Sequence, residues 1–158
     1  MNAGKDEGLI PMGSAALEIL RLEAGLAGAH EFAAGADALE AGLGFAVDFN
    51  KTNFIGQSAL KKHAAGQRKV LRGLKCECDD LPLSGAPVYA GERQVGIVTS
   101  ATRSPYFETA IAMARLSVEF SEDGLALEIG QLDGRMKRLK SEVTNIPFYD
   151  PKRERARS

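Results

Sequence analysis

The sequence predicts an α+β fold, a helical first part followed by an all-β unit of about six strands, and three observations carry that expectation. From residue 8 to about 63, Ala and Leu recur at helical spacing. From 68 to 147, short β-type runs alternate with Gly, Pro, Ser and Asp turns. The texture changes at HAAGQRK, where Gly66 and the polar residues after it make a connector. Strands set this close together, with no helices between them, favour a small barrel or sandwich over a parallel α/β sheet.

In the first part, Ser14 is expected to N-cap a helix over 15–24, its hydroxyl accepting from an otherwise unpaired backbone N–H, and Gly25 suits the stop. Leu17, Leu20 and Ala24 then share the packing face, with Ala16 and Ile19 beside them, and Glu18 and Arg21 look outward. The Gly- and Ala-rich stretch 27–44 reads as loop or short turns. Residues 45–49 (FAVDF) alternate well enough for a brief strand. Asn53 is the expected cap of a second helix over 55–64, with Ile55, Ala59 and Leu60 inward and Lys61 and Lys62 outward.

The second part is expected to hold strands at 69–78, 87–90, 95–100, 110–116, 125–129 and 135–143. YAGERQVG is a hairpin in which Gly91 takes the φ > 0 position. On the first strand side chains alternate, so Leu74, Cys76 and Cys78 face the core and Lys75 and Glu77 face away.

Composition narrows the function classes. At 158 residues, with 44% hydrophobic and 26% charged, the chain has the make-up of one globular domain or one small domain with an appendage. The net charge of −1 gives no field to gather nucleic acid or anionic lipid, so neither partner is expected. No apolar run approaches the roughly 20 residues that span a bilayer, and the start lacks a secretory pattern, so the expected location is the cytoplasm. Cys76 and Cys78 are too close to staple a fold, and His30 and His63 are not spaced to complete a zinc site, so no metal is expected.

No nucleophile elbow, P-loop or dinucleotide motif occurs, and no catalytic set can be read directly. Two segments remain as candidates. Arg21-Leu22-Glu23-Ala24-Gly25 sets alternating charges at a helix end. These form either a surface ion pair worth about 0–1 kcal/mol or a pair turned into a cleft, where an Arg fork suits a planar, amide-rich or carboxylate-bearing ligand. The hydroxyl- and Arg-rich run 99–105 reads as a plain loop or as a ligand contact, with Pro105 keeping Ser104 out of helical geometry. The end, 151–158, is basic and mixed, as frayed termini are.

Several segments together resemble the C-terminal part of the glycine-cleavage aminomethyltransferase (T-protein) family and its folate-binding superfamily. They are GLIPMGSAALEILRLEAG (8–25), LEAGLGFAVDF (39–49), NFIGQSAL (53–60), RGL (72–74), GAPVYAGERQVGIVTSATRSP (85–105), AIAMARL (110–116) and IPFY (146–149). They keep the family's order over nearly all of the chain. The resemblance implies transfer of a methylene from a lipoyl-bound aminomethyl group to tetrahydrofolate, with release of ammonia. It also implies the architecture: part of a ferredoxin-like α/β folate-binding segment over 1–67, a six-stranded antiparallel Greek-key β-barrel over 68–150, and the basic tail.

In that family the assisting aspartate belongs to an N-terminal half with no counterpart here, so no catalytic residue is assigned and the chain alone is expected to be inactive. The family's helix pattern, A-R-D-x-L-R-L-E-A-G, has its folate-associated Arg where this chain has Leu17. Arg21 and Glu23 match the motif and are expected to shape the wall of the folate channel. Tyr149 matches a C-terminal segment that lies near it. The implied partners are folate, a lipoyl carrier protein and a separate N-terminal half, or a second copy covering an exposed apolar face. The alternatives are a non-catalytic binding or assembly module and a folate-linked demethylase or iron–sulfur-maintenance relative.

Overall fold

A computed structural model describes residues 2–32, 35–66, 68–77, 80–132, 134, 137–152 and 154. Cys78, residues 135–136 of the expected last strand, and most of the 151–158 tail lie outside the described residues. Two helices, α1 (Ser14–Glu23) and α2 (Gln57–Ala64), precede six strands: β1 (Lys69–Cys76), β2 (Pro87–Ala90), β3 (Arg93–Ser104), β4 (Thr109–Ser117), β5 (Ala126–Gly130) and β6 (Arg138–Thr144). Neither helix is long and apolar enough to cross a membrane.

The strands close into a barrel in the order β1-β4-β3-β2-β5-β6, every pair antiparallel. The meander β2-β3-β4 lies beside β1, as in a Greek key, and closure leaves no sheet edge. Alternation along the strands divides the apolar residues between two cores. Leu74, Cys76, Ala112, Ala114, Leu116 and Val143 fill the barrel with their neighbours. On the outer wall Leu71, Ile111 and Met113 form a second cluster with Leu22 of α1 and Phe148 of the C-terminal segment. Lys75 faces away from the interior, as expected, its Nζ 5.1 Å over the Phe107 ring.

Two glycines make this second core possible. A Cβ on Gly73 would stand 2.7 Å from the Phe148 ring, so only Gly lets that ring lie on β1. Gly25 ends α1 at φ +67, and its Cβ would lie 2.8 Å from Pro147 Cα. The C-terminal segment, with a cis Ile146–Pro147 bond, thus lies directly against the end of α1. The hairpin residue Gly91 takes the expected positive φ, +60.

The structure corrects several expectations in the first part. Ser14 begins α1 rather than capping it, and Gly13 holds the N-cap position. The packing face is not that of Leu17 and Leu20, which are 55% and 51% exposed, but that of Leu22 and Glu23. This helix carries two apolar stripes, and periodicity alone does not choose between them. Residues 45–49 form no strand; a 3-10 turn over Gly44–Ala46 replaces it, because the closed barrel offers the segment no edge to pair with. α2 starts after Gly56, not after an Asn53 cap, and buries none of its side chains; Ile55 is fully exposed. Many large apolar side chains between residues 9 and 55 stay exposed, among them Ile10, Leu17, Leu20, Phe45 and Ile55. The run 99–105 is not a loop: β3 continues through Ser104, paired with Thr109 of β4.

Candidate functional site

The last turn of α1 crosses the outer face of β3, and the polar groups there are satisfied by one another. Arg21 donates through Nη1 to Glu31 Oε2 (2.9 Å) and to the Leu26 carbonyl (3.4 Å), through Nη2 to Ser100 Oγ (2.9 Å), and through Nε to Glu18 Oε2 (2.8 Å). It is therefore not an outward surface group; its side chain is 12% exposed. A guanidinium so fully engaged is a bracket between helix, loop and barrel rather than a fork free for a ligand.

Glu31 lies at the centre of this bracket, its side chain wholly buried. It accepts from Gly28 N (2.7 Å) and Arg21 on one oxygen, and from Ser100 Oγ (2.6 Å) and Thr99 Oγ1 (2.9 Å) on the other. Burial works to raise its pKa, but the hydrogen bonds from Ser100, Gly28 and Thr99 and the Arg21 charge outweigh it, so the carboxyl titrates below its ordinary value. Ser100 Oγ donates to Glu31 and accepts from Arg21, using both of its capacities. Sequence reasoning did not single out Glu31. It sits in a Gly- and Ala-rich stretch, and its local signal is a Gly28-x-x-Glu31 turn in which side chain and backbone close on each other.

β3 presents Thr99 and Ser100 together because its register against β4 shifts between Val98 and Ser100. Such a bulge re-aims a side chain, so two consecutive residues reach the same buried carboxylate. Four residues on, Ser104 returns to that face and donates a hydrogen bond to Glu23 Oε1. Ser104 also accepts from Phe107 N at 3.2 Å, which orders the tight β3–β4 connection.

Glu23 is buried to within 8%, and Ser104 is the side chain that donates to its carboxylate. The Glu23 carbonyl accepts from Tyr149 N (2.9 Å), which places Tyr149 beside this turn. Its ring meets Tyr106 edge to face at 4.7 Å, and Tyr106 meets Phe107 in the same way at 4.9 Å. A cleft of about 470 Å³ opens next to these groups, lined by Arg103, Ser104, Pro105 and Glu108. Arg21 and Glu23, on the last turn of α1, are thus met there by Tyr149 from the far end of the chain. Leu17 does not join them.

Comparison with known proteins gives the family of the barrel. Residues 69–150 match the family described as the glycine cleavage T-protein C-terminal barrel domain. A trimethylamine-oxide aldolase of Ruegeria pomeroyi is 40% identical over 159 residues, an alignment covering 99% of this chain and 20% of that protein. An aminomethyltransferase of Listeria welshimeri is 40% identical over 146 residues, covering 90% of this chain and 40% of the relative. The crystal structure of glycine cleavage system aminomethyltransferase T from Bartonella henselae superposes with a TM-score of 0.83 at 26% identity, over 92% of this chain and 41% of that one. The chain therefore spans about two fifths of the aminomethyltransferases and one fifth of the aldolase.

Proposed function

The chain belongs to the glycine cleavage T-protein C-terminal barrel domain family, and from that premise we propose that it acts as the C-terminal portion of a tetrahydrofolate-dependent aminomethyltransferase-like protein. Residues 1–67 are then part of a ferredoxin-like folate-binding segment, 68–150 the barrel, and 151–158 a basic tail. Together they supply one wall of a folate channel. Arg21 and Glu23 shape that wall, and Tyr149 lies along it. The bound tetrahydrofolate supplies the amine nitrogens that take up the one-carbon unit.

The observation that carries this reading is the Glu23 carboxylate, held by Ser104 on one oxygen, in the residue whose carbonyl receives Tyr149 N, with the Tyr149 ring against Tyr106. A pterin offers N–H donors around a flat ring. An oriented acceptor and half-exposed aromatic edges suit both features. Leu17 does not supply the family's folate-associated cation, so these residues hold the pterin through acceptor and aromatic contacts and leave its anionic end to other groups. The apolar side chains exposed on α1 fit coverage by the rest of such an assembly, whether a separate N-terminal half or a second copy. A lipoyl carrier would deliver the aminomethyl group to that assembly.

Two measurements test the proposal. Titration of the isotope-labelled chain with tetrahydrofolate is expected to shift the NMR amide signals of residues 22–26, 104, 106, 107 and 148–150 at millimolar ligand. Shifts confined elsewhere, or none, would overturn the folate wall. The 158 residues alone, given an aminomethyl-loaded lipoyl carrier and tetrahydrofolate, are expected to release no ammonia above background; turnover would refute the assignment of the assisting acid to another half.

A second reading is favoured by the aldolase match, which covers 99% of this chain. There the donor is a methylated amine or its oxide, as in a folate-linked demethylase. Trimethylamine N-oxide shifting the same amides would favour it.

A further inference from the structure

We propose that Glu31 is a positioning residue for this wall, its buried carboxylate holding Arg21 and Ser100 and thereby setting where Glu23 and Tyr149 stand over β3. The purpose assigned to it rests on the folate reading; the geometry does not.

Three separate segments converge on the one side chain. Gly28 donates from the turn that carries Glu31, Arg21 from α1, and Thr99 and Ser100 from β3. Four donors match the capacity of an ionised carboxylate, so nothing in the group is left for a ligand. Arg21 is in turn fixed to Glu18 and to the Leu26 carbonyl just past the helix end. The guanidinium thus transmits the position of Glu31 to the last turn of α1, and Leu26 N bonds back to the Arg21 carbonyl at 2.8 Å.

That turn is tied to β3 at two points four residues apart. Ser100 is reached through Arg21 and Glu31, and Ser104 through Glu23. The Ser104 tie is a single hydrogen bond from one hydroxyl to Glu23. The Ser100 tie is a closed ring of charge-assisted bonds that fixes distance and direction together. The ring therefore sets the registry of helix against strand, and the Glu23 carboxylate and the Tyr149 amide on the Glu23 carbonyl follow it. Replacing buried ion pairs by apolar groups often leaves stability unchanged, whereas their best-attested use is to fix register.

The test is Glu31→Gln. Glutamine keeps the volume: its oxygen can accept from Gly28 and Arg21 while its amide donates to the Ser100 and Thr99 hydroxyls, so the chain folds without the charge. Site-resolved amide exchange in the ligand-free chain is the readout. The Tyr149 and Leu26 amides are expected to exchange at least tenfold faster than in the parent, and the barrel amides of Val98 and Val143 at the parent rate. At acid pH the Tyr149-to-Val143 ratio of the parent is expected to converge on that of the variant.

An unchanged Tyr149 rate would overturn the proposal, as would an equal acceleration of all four amides, which marks general loss of stability. Ser100→Ala, which removes a partner without touching the carboxylate, is expected to reproduce the selective acceleration in part; no acceleration there counts against the ring. In the tetrahydrofolate titration the variant should need about tenfold more ligand for the same shifts. If the parent shows no shifts the folate reading fails, while the exchange ratio still decides on Glu31.

Discussion

Among the described residues, Glu31 and Asp37 are the carboxylates whose titration the fold lowers, and each tells on stability. Burial opposes the charge on both. On Glu31 the Ser100, Gly28 and Thr99 hydrogen bonds and Arg21 outweigh it; on Asp37 the Glu40 amide, His63 and the Leu39 amide do. With the native pKa below the unfolded one, the unfolded chain binds more protons in the acid range, so stability rises with pH there. The contribution is complete above the ordinary carboxylate value of about 4.3 and is lost as pH falls through the lowered native pKa. Urea unfolding between pH 2.5 and 6 should show this slope. Glu31→Gln should flatten it and Asp37→Asn flatten it further. Glu31→Ala, which removes the acceptor of Ser100 and one acceptor each of Arg21 and Thr99, is expected to cost about 3–5 kcal/mol at neutral pH. Gly73→Ala tests a different residue-scale constraint. Its new methyl would fall 2.7 Å from the Phe148 ring and 2.9 Å from Thr144 Cγ2, and a loss of about 1–3 kcal/mol is expected, read as a lower urea midpoint at unchanged slope.

At the scale of elements, α1 shows both what sequence patterning reveals and where it stops. The strands were legible because short β-type runs are bounded by Gly, Pro, Ser and Asp turns: residues 87–90 match β2 (Pro87–Ala90) at both ends, and the other strands fall within a few residues of their expected ends. The helix itself was legible too, with Gly25 at its stop. Its orientation was not, because Leu17, Leu20 and Ala24 make as good a stripe as Ala16, Ile19 and Leu22. What decides is Arg21 and Glu23, whose partners on β3 are seventy-nine and eighty-one residues away. Local periodicity cannot contain that information. The alternation of 45–49 misled for a related reason, since a strand needs a neighbour and the barrel is already closed. In the site, the charges at 21 and 23 and the hydroxyl run were visible as candidates, but the bulge after Val98 that turns Thr99 and Ser100 toward one carboxylate left no local signature. Paired substitutions separate the two helix faces. Leu22→Ala removes a side chain 1% exposed among Leu71, Ile111, Met113 and Phe148 and should cost about 2–5 kcal/mol. Leu17→Gln with Leu20→Gln should change stability by less than about 0.5 kcal/mol each, and in sedimentation velocity should reduce any concentration-dependent association.

On the scale of the whole molecule, the two cores need not depend equally on each other. The barrel interior is enclosed by its own six strands, and β1 pairs with both β4 and β6, so closure does not require α1. The outer cluster is different: its β1 and β4 residues are covered by Leu22, with Ala27, Phe107, Ile146 and Phe148 around it. A chain limited to residues 69–150, which is also the segment matched by the family, keeps Phe148 on Gly73 but leaves Leu71, Ile111 and Met113 without the helix. It is expected to retain the β-type circular dichroism of the full chain and a cooperative transition. Losing the Leu22 contact alone removes about 2–5 kcal/mol. At about 4–8 °C per kcal/mol for a domain of this size, the midpoint should fall by about 10 °C or more, and binding of a hydrophobic dye should rise. Restoring the preceding residues as far as Gly13 returns both α1 and Glu31, the carboxylate that ties it to Ser100, and should recover most of the loss. Loss of the β signal in the shorter chain would mean instead that the barrel closes only on a helix already docked, making α1 part of the fold's nucleus rather than a wall laid onto it.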